Sequence, residues 1–377
     1  MQILILGARS PAALEWTRAF ATAQHSVFVA DSLNFALTRF SRHIQRYLKL
    51  PAAAQFPNTW LSTLIDYIQK YKIDYLLPTC EEVFYCAHFH KQISRHCTLL
   101  CSPLDLLNTL HNKFSFAQFS QDFLIQAPET LLVSQPEQVS SLNTQDYVLK
   151  PVYSRFADQT LIRPTAQKAS QIQCSVRRPW VAQRYIKGTE FCSFSIMQHG
   201  KLLAHCCYQP TYRIGQGAGI LLTPQRQQKI EAFLHQFAQR TQLTGQVAFD
   251  YMEDTAQEKL YLLECNPRST SGIHLFTQPT QLVDCLMNNT ALQNAQLQTR
   301  CVSLALLPYF FSKHITQKTF WQNLRQASDV VWDKQDPLPS LAQFISASEI
   351  LATALINRKA VLSTTTVDIE WNGQDIV

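Results

Sequence analysis

The stretch from Gly245 to Arg268, GQVAFDYMEDTAQEKLYLLECNPR, constrains the fold of this chain more than any other. Two apolar runs flank a polar turn at 253–259, which is the pattern of a β-hairpin. Asp250 lies on the first predicted strand, and the second strand ends in Glu264-Cys265-Asn266 before Pro267. Because residues two apart in a strand share a face, Glu264 and Asn266 point the same way, and strand pairing brings Asp250 to that face.

Two carboxylates and a side-chain amide on one face are hard oxygen ligands, and Arg268 follows them directly. Oxygen ligands that leave room for phosphate oxygens suit Mg²⁺ bound to a nucleotide. We therefore predict a metal site at Asp250, Glu264 and Asn266, with Mg²⁺ as the ion and Mn²⁺ as an alternative. The competing interpretation is a solvated hairpin edge, because charged residues are usually exposed. The apolar runs that extend up to both acids favour the metal site.

Four motifs, in this order, resemble the landmarks of the ATP-grasp superfamily: His111-Asn112-Lys113-Phe114, Tyr147-Val148-Leu149-Lys150-Pro151, the hinge from Trp180 to Glu190, and the Glu264–Arg268 run. The resemblance covers roughly residues 1–285 and is of the carboxylate–amine ligase type, which also includes carbamoyl-phosphate-synthase-like proteins. At finer grain the chain is similar to the branch that makes mycosporine-glycine. Each motif alone is weak, but the ordered set is specific.

The resemblance implies that ATP is the cofactor. Lys113 and Lys150 would contact its phosphates, Ala182–Ile186 would present backbone groups to adenine, and Glu190 would bind ribose. The loop after Lys150 lacks the glycines that many ATP-grasp enzymes carry, so side-chain donors would replace backbone N–H groups there. The alternative for Lys150 is an ordinary surface lysine. The complete predicted nucleotide set is Lys113, Lys150, Ser154, Arg155, Gln183, Arg184, Tyr185, Ile186 and Glu190.

Catalytic and acceptor-binding roles are also implied by the resemblance. The catalytic residues would be Arg268, Lys150 and Arg213, the last in the segment 208–219, whose three glycines predict a mobile loop or a hairpin tip. The acceptor would be bound by Arg9, Glu81, Glu82, Ser271, Gly272 and His274. Glu81 or Glu82 would alternatively cap the following helix. A histidine between Ile273 and Leu275 is more often packed in a core than used as a base.

The N-terminus predicts a Rossmann-like strand–helix–strand unit over residues 1–33, with Ser10 as the N-cap of the helix and Pro11 at its first position. Only one of the three glycines of the dinucleotide fingerprint is present, and Arg9 stands where a pyrophosphate would approach the backbone, so NAD binding is not expected. Further alternation predicts a helix at Trp60–Tyr71, a strand at Ile73–Leu77 and a helix at Glu82–Ser94.

The predicted fold class combines α/β and α+β: a Rossmann-like domain at 1–110, the small ATP-grasp (lid) subdomain at 111–190, the large subdomain at 191–288, and a C-terminal extension at 289–377. The extension lies outside the resemblance. Its pattern predicts helices at Thr316–Gln326 and Leu341–Lys359, and a strand from Thr364 that ends in an Asn-Gly turn.

Composition narrows the class of protein. With 46% hydrophobic and 16% charged residues, the 377-residue chain is expected to be globular, and no apolar run is expected to approach the roughly 20 residues of a membrane span. The net charge of +6 comes from dispersed basic residues, which argues against nucleic acid and suits an anionic small molecule. Eleven scattered cysteines without a C-x-x-C motif favour a reducing cytoplasm.

The predicted function is an ADP-forming ligase that phosphorylates a small-molecule carboxylate and couples it to an amine. One alternative activates a ring enol oxygen and adds an amino acid, as in mycosporine-glycine synthesis. Another is a non-catalytic ATP-binding sensor, against which the intact acids and Asn266 argue. The expected partners are a small acid (or enol) and an amine, without nucleic acid or membrane, and a homodimer is left open.

Overall fold

A parallel five-stranded sheet with helices on both faces forms the N-terminal domain. The computed structural model describes residues 1–155, 157, 159–213, 217, 219–312, 316–358, 360–374 and 376. The domain contains β1 (Gln2–Leu6), α1 (Pro11–Thr22), β2 (Ser26–Asp31), β3 (Ile44–Lys49), α2 (Pro57–Tyr71), β4 (Tyr75–Pro78), α3 (Glu82–His88), α4 (His90–Ile93), β5 (Thr98–Leu99) and α5 (Leu104–His111). The strand order is β3-β2-β1-β4-β5.

The predicted start of α1 is found. The Ser10 hydroxyl accepts the backbone N–H of Ala13 at 3.1 Å, and Pro11 occupies the first turn. Strand β3 was not predicted, because it is a half-exposed edge strand that carries Arg46 and Lys49. Tyr75–Pro78 replaces the predicted strand Ile73–Leu77, and the single helix predicted at Glu82–Ser94 is divided into α3 and α4.

The small subdomain is built on an antiparallel sheet of four strands. Its elements are α6 (Lys113–Phe119), β6 (Thr130–Val133), α7 (Pro136–Ser140), β7 (Tyr147–Pro151), β8 (Leu161–Ile162), α8 (Ala166–Ala169) and β9 (Trp180–Arg184). The strand order is β6-β9-β7-β8, so the strand that carries Lys150 pairs directly with the strand that carries Gln183.

The large subdomain contains a seven-stranded sheet. Its elements are β10 (Gly188–Gln198), β11 (Lys201–Arg213), β12 (Gly219–Gln225), α9 (Gln228–Thr241), β13 (Gly245–Asp254), β14 (Lys259–Asn266), α10 (Pro279–Asn288), β15 (Arg300–Cys301) and β16 (Ser328–Asp329). The order β14-β13-β10-β11-β12-β15-β16 places the hairpin of Asp250 and Glu264 at one edge. The sheet shares a core with the N-terminal domain, where Trp16 Nε1 donates to Gln246 Oε1 at 2.7 Å.

The prediction of a loop over 208–219 is wrong for residues 208–213. They continue β11, whose pairing with β12 sets Pro210 opposite Leu222. A Cβ on Gly219 would lie 2.3 Å from Pro210 Cβ, so this glycine serves close strand packing. Ile214, Gly215, Gln216 and Ala218 lie outside the described residues.

The last part of the chain contains α11 (Lys318–Gln326), α12 (Leu338–Asn357) and α13 (Val361–Thr364). Helix α12 corrects the expectation about apolar runs, because its stretch Leu338–Ile356 is long and apolar enough to cross a membrane by length and composition; 17% of the apolar window is buried. The helix contacts the N-terminal domain, where Glu349 accepts the backbone N–H of Phe35 at 2.7 Å. By these criteria it is the only such helix in the described part of the chain.

The predicted strand from Thr364 is wrong. Thr364 ends α13, and the C-terminal segment, residues 365–374, then follows the N-terminal domain as turns and irregular structure. Its Trp371 is 1% exposed, packs in the core of that domain and stacks on Phe84 at a centroid distance of 6.0 Å. Trp371 Nε1 donates to Asn108 Oδ1 at 2.7 Å. The boundary at 289 stays a prediction, but residues beyond it complete both the large sheet and the N-terminal core.

We expect Trp371→Ala to lower the free energy of unfolding by about 3–5 kcal/mol, because truncation of a buried aromatic side chain removes apolar burial and leaves a cavity. Trp332→Ala is the matched control, since Trp332 is 58% exposed and its loss should change stability by less than about 0.5 kcal/mol. Urea unfolding followed by circular dichroism measures both. Equal effects of the two substitutions would contradict the placement of Trp371 in the N-terminal core.

Candidate active site

The hairpin of β13 and β14 places the two predicted metal-binding acids directly opposite each other. Asp250 pairs with Glu264 and Ala248 pairs with Asn266, so Asn266 continues the face of Glu264. Cys265 points the other way into a cluster of buried aromatic and aliphatic side chains. A register irregularity follows Asp250, between it and Tyr251. The alternation that defined this face in the sequence therefore also defines it in the structure.

Two lysines of the small subdomain face this pair. Lys113 Nζ lies 3.3 Å from Glu264 Oε2 and donates to the carbonyl of Ser154 at 3.1 Å. Lys150 Nζ donates to Gln183 Oε1 at 3.1 Å and to the carbonyl of Leu263, next to Glu264, at 3.3 Å. Both lysines are buried. The surface interpretation of Lys150 is thereby excluded, and the two subdomains meet at a cluster of two ammonium groups and two carboxylates.

The electrostatics of the cluster follow from burial and close charges. Burial raises the pKa of Asp250 to about 7, and the negative charge of Glu264 adds to the shift. Burial also acts to raise the pKa of Glu264, but the charges of Lys113 and Lys150 outweigh it and hold that pKa at about 2. The pKa of Lys150 falls to about 8 because of burial, against the opposing attraction of Glu264. Asp250 is therefore the acid whose negative charge is least compensated.

The donor set fits a divalent cation that shares its coordination with another ligand. Asn266 Nδ2 donates to Glu264 Oε1 at 3.4 Å, and Asn266 Oδ1 accepts from Arg268 at 3.3 Å. The described residues include no group of three or more His, Cys, Asp or Glu suited to a metal. Two carboxylates and an amide leave coordination positions for phosphate oxygens. A cation there would also offset the burial and the repulsion from Glu264 that together raise the pKa of Asp250.

The hinge between β9 and β10 begins with residues that are engaged in contacts within the small subdomain and ends with backbone that is open to a ligand. Gln183 is buried and bridges Lys150 to Thr130, whose hydroxyl accepts from Gln183 Nε2 at 3.2 Å. Arg184 is half-exposed and lies 3.5 Å from Asp146, and the N–H of Tyr185 donates to the Asp146 carbonyl. The backbone of Ile186 forms no hydrogen bond among the described residues. The open edge of the hinge therefore begins at Ile186.

Glu190 and Arg213 form an ion pair on neighbouring strands β10 and β11, with about 30% of each side chain exposed. Burial raises the pKa of Glu190, and the charge of Arg213 opposes that shift. Arg213 is fixed by Tyr309, whose hydroxyl accepts the N–H of Arg213 at 2.7 Å and donates to its carbonyl at 2.8 Å. The ribose-binding residue and the catalytic arginine of the sequence prediction thus lie together.

Three residues predicted to contact substrate or phosphate are engaged by other parts of the chain. Arg155 Nε donates to Glu81 Oε1 at 2.6 Å, and the same guanidinium donates to the carbonyl of Trp371 at 2.5 Å. Arg9 is held by Asp31 at 2.5 Å and by Asp368 at 2.6 Å. Glu81 occupies the N-cap position of α3, but its side chain makes no capping hydrogen bond there and instead binds Arg155 and the N–H of Trp371.

Glu82 is buried in the first turn of α3, and its Oε2 has no hydrogen-bond partner among the described residues. Burial raises its pKa to about 8, and the nearby charge of Asp31 adds to the shift. It lies at the carboxyl end of β4 but is 2% exposed, so it is not presented to solvent.

The loop 269–274 is packed rather than open. A Cβ on Gly272 would lie 2.4 Å from Phe194 Cβ, so this position requires glycine for close packing. His274 is buried, and its Nδ1 lies 2.8 Å from Glu15 Oε2, which agrees with the packed alternative. Ser271 precedes them in the same short 3-10 turn. The acceptor-binding roles predicted for Ser271, Gly272 and His274 stay predictions.

Several residues that hold the site were not found from the sequence. Thr130 orients Gln183, Tyr309 fixes Arg213, and Trp371 binds Glu81 and Arg155. None belongs to a motif, and Trp371 lies 216 positions from Arg155. For Trp371, the only signal was an alternation that predicted a strand, and it did not indicate the partners of this residue.

Comparison with known proteins also points to the part of the chain that contains this candidate site. The family model of the ATP-grasp domain matches residues 110–272. No curated protein matches the sequence. Among solved structures, N5-carboxyaminoimidazole synthetase from Staphylococcus aureus is similar, with a TM-score of 0.61 at 13% identity over 83% of this chain and 86% of that one.

Two further structures have the same fold. Biotin carboxylase from Campylobacter jejuni has a TM-score of 0.61 at 11% identity, covering 80% of this chain and 75% of its own. L-amino acid ligase from Bacillus licheniformis has a TM-score of 0.59 at 13% identity, covering 76% and 74%. These identities are low and show a shared fold. The predicted fold class and the predicted ATP-grasp resemblance are confirmed.

We expect Asp250→Asn to raise the free energy of unfolding more at pH 8 than at pH 5. The pKa of Asp250 in the folded chain, about 7, lies above the value of about 4 of an unfolded aspartate, so folding favours its protonated form. Its deprotonation therefore destabilises the fold increasingly as pH rises from about 4 to about 7, and a neutral asparagine removes that cost.

The control is Asp66→Asn, which removes the same charge from the exposed face of α2 and should change the free energy of unfolding little at either pH. Urea unfolding at both pH values, without added metal, gives the comparison. A gain for Asp250→Asn that is equal at pH 5 and pH 8 would contradict the charge balance of the cluster.

Proposed function

From the ATP-grasp domain at residues 110–272, we propose that this chain is an ATP-dependent, ADP-forming ligase that joins a small-molecule carboxylate to an amine. The observation that carries the proposal is the meeting of Lys113 and Lys150 with Asp250 and Glu264 across the two subdomains. Cations and metal-binding acids facing one another describe a site for the phosphates of a nucleotide.

The nucleotide lies between the small and large subdomains in this proposal. Adenine contacts the hinge at Ile186, ribose contacts Glu190, and the phosphates contact Lys113 and Lys150. Solved structures with this fold include a complex of N5-carboxyaminoimidazole synthetase with ADP and a carboxylase domain with MgADP. The Glu190–Arg213 ion pair must open or shift to admit ribose, which leaves Arg213 able to reach phosphate.

Asp250, Glu264 and Asn266 would hold Mg²⁺, with Mn²⁺ as the alternative ion. When bound, the metal ion supplies positive charge to the phosphate oxygens and orients them. Lys113 exchanges its contact with Glu264 for a phosphate oxygen. Lys150 is kept in place by Gln183 and the carbonyl of Leu263, so it offers its charge without rearrangement.

The proposed reaction has two steps. A carboxylate oxygen of the acid attacks the γ-phosphorus of ATP in line, the bond to the β–γ bridging oxygen breaks, and ADP leaves, which gives an acyl phosphate. The amine then attacks the acyl carbon, the bond to the phosphate oxygen breaks, and the amine loses a proton. The products are an amide, ADP and inorganic phosphate. Positioning and charge stabilisation supply most of the catalysis of such a transfer.

Arg268 is the residue best placed to stabilise charge on the acyl phosphate. Its guanidinium donates to Asn266 Oδ1 and to the carbonyl of Ser269, which ties it to the predicted metal-binding strand. The ligation chemistry is supported by proteins of the same fold, among them an L-amino acid ligase and a phosphoribosylamine–glycine ligase.

We place this reaction in the cytoplasm, with a small acid and an amine as substrates. All eleven cysteines are free thiols, and nine of them are buried. Unpaired thiols throughout the chain fit a reducing compartment.

The proposed activity is tested by ADP release from ATP over a matrix of carboxylates and amines with Mg²⁺. We expect release that requires both an acid and an amine, and a loss of at least about 100-fold in kcat for Glu264→Gln, since a metal contact supplies several kcal/mol. Glu258→Gln in the exposed hairpin turn is the control and should retain activity. ATP binding without any release across the matrix would instead favour a sensor.

The affinity for ATP should fall about tenfold between pH 7 and pH 9. The lowered pKa of Lys150, about 8, means that the free protein loses this charge above pH 8, whereas bound phosphate requires it. Lys150→Ala should weaken binding by roughly 10- to 150-fold. Lys150→Arg keeps a charge at every pH, so it should abolish the dependence on pH. It should rescue little affinity, because the planar guanidinium group does not fit the tight site of an ammonium group.

Calorimetric titration with a non-hydrolysable ATP analogue measures all three proteins. A pH dependence that persists in Lys150→Arg would assign the titration to another group.

A further inference from the structure

The crevice at which a parallel sheet usually binds its ligand is filled in this chain. In open α/β sheets that crevice lies outside the carboxyl ends of the strands. Here those ends carry Arg9 after β1, Asp31 at the end of β2 and Glu81 after β4. The C-terminal segment lies across them, with Asp368 2.6 Å from Arg9 and the N–H of Trp371 3.0 Å from Glu81.

These contacts use the groups that an acceptor would need. The Arg9 guanidinium is shared among Asp31, Asp368, Ser32 and the carbonyl of Thr365 and is nearly inaccessible. Burial acts to raise the pKa of Glu81, but the adjacent charge of Arg155 outweighs it and holds that pKa at about 2. The acceptor therefore needs a site other than the one predicted from the N-terminal domain.

A large cavity lies on the opposite side of the C-terminal segment. It has a volume of about 1100 Å³ and separates that part of the chain from the small subdomain. Ser363, Thr366 and Glu370 line one wall, and the loop at 153–155 with the stretch at 171–180 lines the other. Ligand pockets typically have volumes of about 300–1,000 Å³. The cavity is therefore large enough for a whole acceptor.

The cavity borders the predicted nucleotide site without belonging to it. Lys113, Lys150, Asp250 and Glu264 are not among its lining residues. Ser154 is, and its carbonyl accepts from Lys113 Nζ at 3.1 Å. A ligand in the cavity that reaches Ser154 thus meets the lysine that faces Glu264. At Ser154, where the cavity and the predicted nucleotide site adjoin, an acceptor oxygen and a γ-phosphate would approach each other.

The charge of the lining is positive. Lys168, Arg177 and Arg178 line the cavity, and none of them forms a side-chain ion pair with a residue that the structure describes. The charge of Arg155 is already balanced by Glu81 at 2.5 Å. Glu370 is the one acid among the described lining residues.

The remaining lining supplies neutral hydrogen-bonding groups and two flat rings. Gln159, Gln171 and Gln173 add amides, and Tyr153 and Trp180 add aromatic surfaces. Three cations that form no ion pair with a described residue, together with several neutral donors, favour a ligand that has more than one anionic group and further oxygens.

We propose that this cavity binds the acid substrate, and that the substrate carries a second anionic group besides the carboxylate that is phosphorylated. The reacting carboxylate lies at the Ser154 end, and Lys168, Arg177 and Arg178 hold the second group. This assignment rests on the proposed ligase function, and it specifies the substrate class that the nucleotide site alone does not.

Calorimetry with 3-phosphoglycerate and glycerate tests the proposal, because these probes share a carboxylate and differ by one phosphate. Titrations are made with the full chain saturated with Mg²⁺ and a non-hydrolysable ATP analogue. We expect 3-phosphoglycerate to bind at least tenfold more tightly than glycerate. The double substitution Arg177→Gln/Arg178→Gln should remove at least that tenfold preference while affinity for the ATP analogue stays unchanged.

The control Lys91→Gln/Arg95→Gln removes the same charge from the exposed end of α4 and the residues after it, and should keep the preference. Equal affinities for the two probes, no binding of either, or a preference that survives Arg177→Gln/Arg178→Gln would overturn the assignment of the cavity. Absence of ATP-analogue binding to the unmodified chain would overturn the proposed function instead, and the probe comparison made without nucleotide then decides the cavity separately.

Discussion

The site depends on one strand register, the pairing of Asp250 with Glu264 across the β13–β14 hairpin. That register brings two carboxylates together at the edge of the large sheet, where two lysines of the small subdomain meet them. Buried charges of this kind rarely stabilise a fold, because desolvation costs about as much as their attraction returns. The raised pKa of Asp250 and the lowered pKa of Lys150 are signs of that cost. A Mg²⁺–nucleotide complex would satisfy both groups, which is why the cluster is better explained by binding than by stability.

The C-terminal segment gives the second constraint, because it links the N-terminal domain to the loop that follows Lys150. Trp371 is buried in the N-terminal core, its carbonyl accepts from Arg155, and Gly373 lies against Tyr153 with φ of +70°. A glycine is needed there, since a Cβ would lie 2.3 Å from the Tyr153 hydroxyl. The segment thus closes the usual crevice of the parallel sheet, and the cavity lined by Lys168, Arg177 and Arg178 lies open beside the proposed nucleotide site.

Local patterns in the sequence predicted the structural features that depend only on residues close together in the chain. The two-residue period of a strand placed Glu264 and Asn266 on one face, and the capping residues at Ser10 and Pro11 located the start of α1. Contacts between distant parts of the chain left no such signal, as with Arg9, whose partner Asp368 is 359 positions away. Alternation near Ile369 and Trp371 suggested a strand, but no described strand pairs with these residues, so the strand prediction failed. The glycines near 217 suggested a loop, whereas pairing with β12 extends β11 to Arg213.

We propose that ATP binds between the two subdomains, with its base at the hinge. Photolabelling with 8-azido-ATP followed by peptide mapping tests this most directly, because the reactive azide is on the adenine ring. We expect Mg²⁺-dependent labelling of the hinge near Tyr185 and Ile186, and protection by unlabelled ATP. Labelling of the turn at Gly7–Ser10 in the N-terminal domain, with the hinge unmodified, would contradict it.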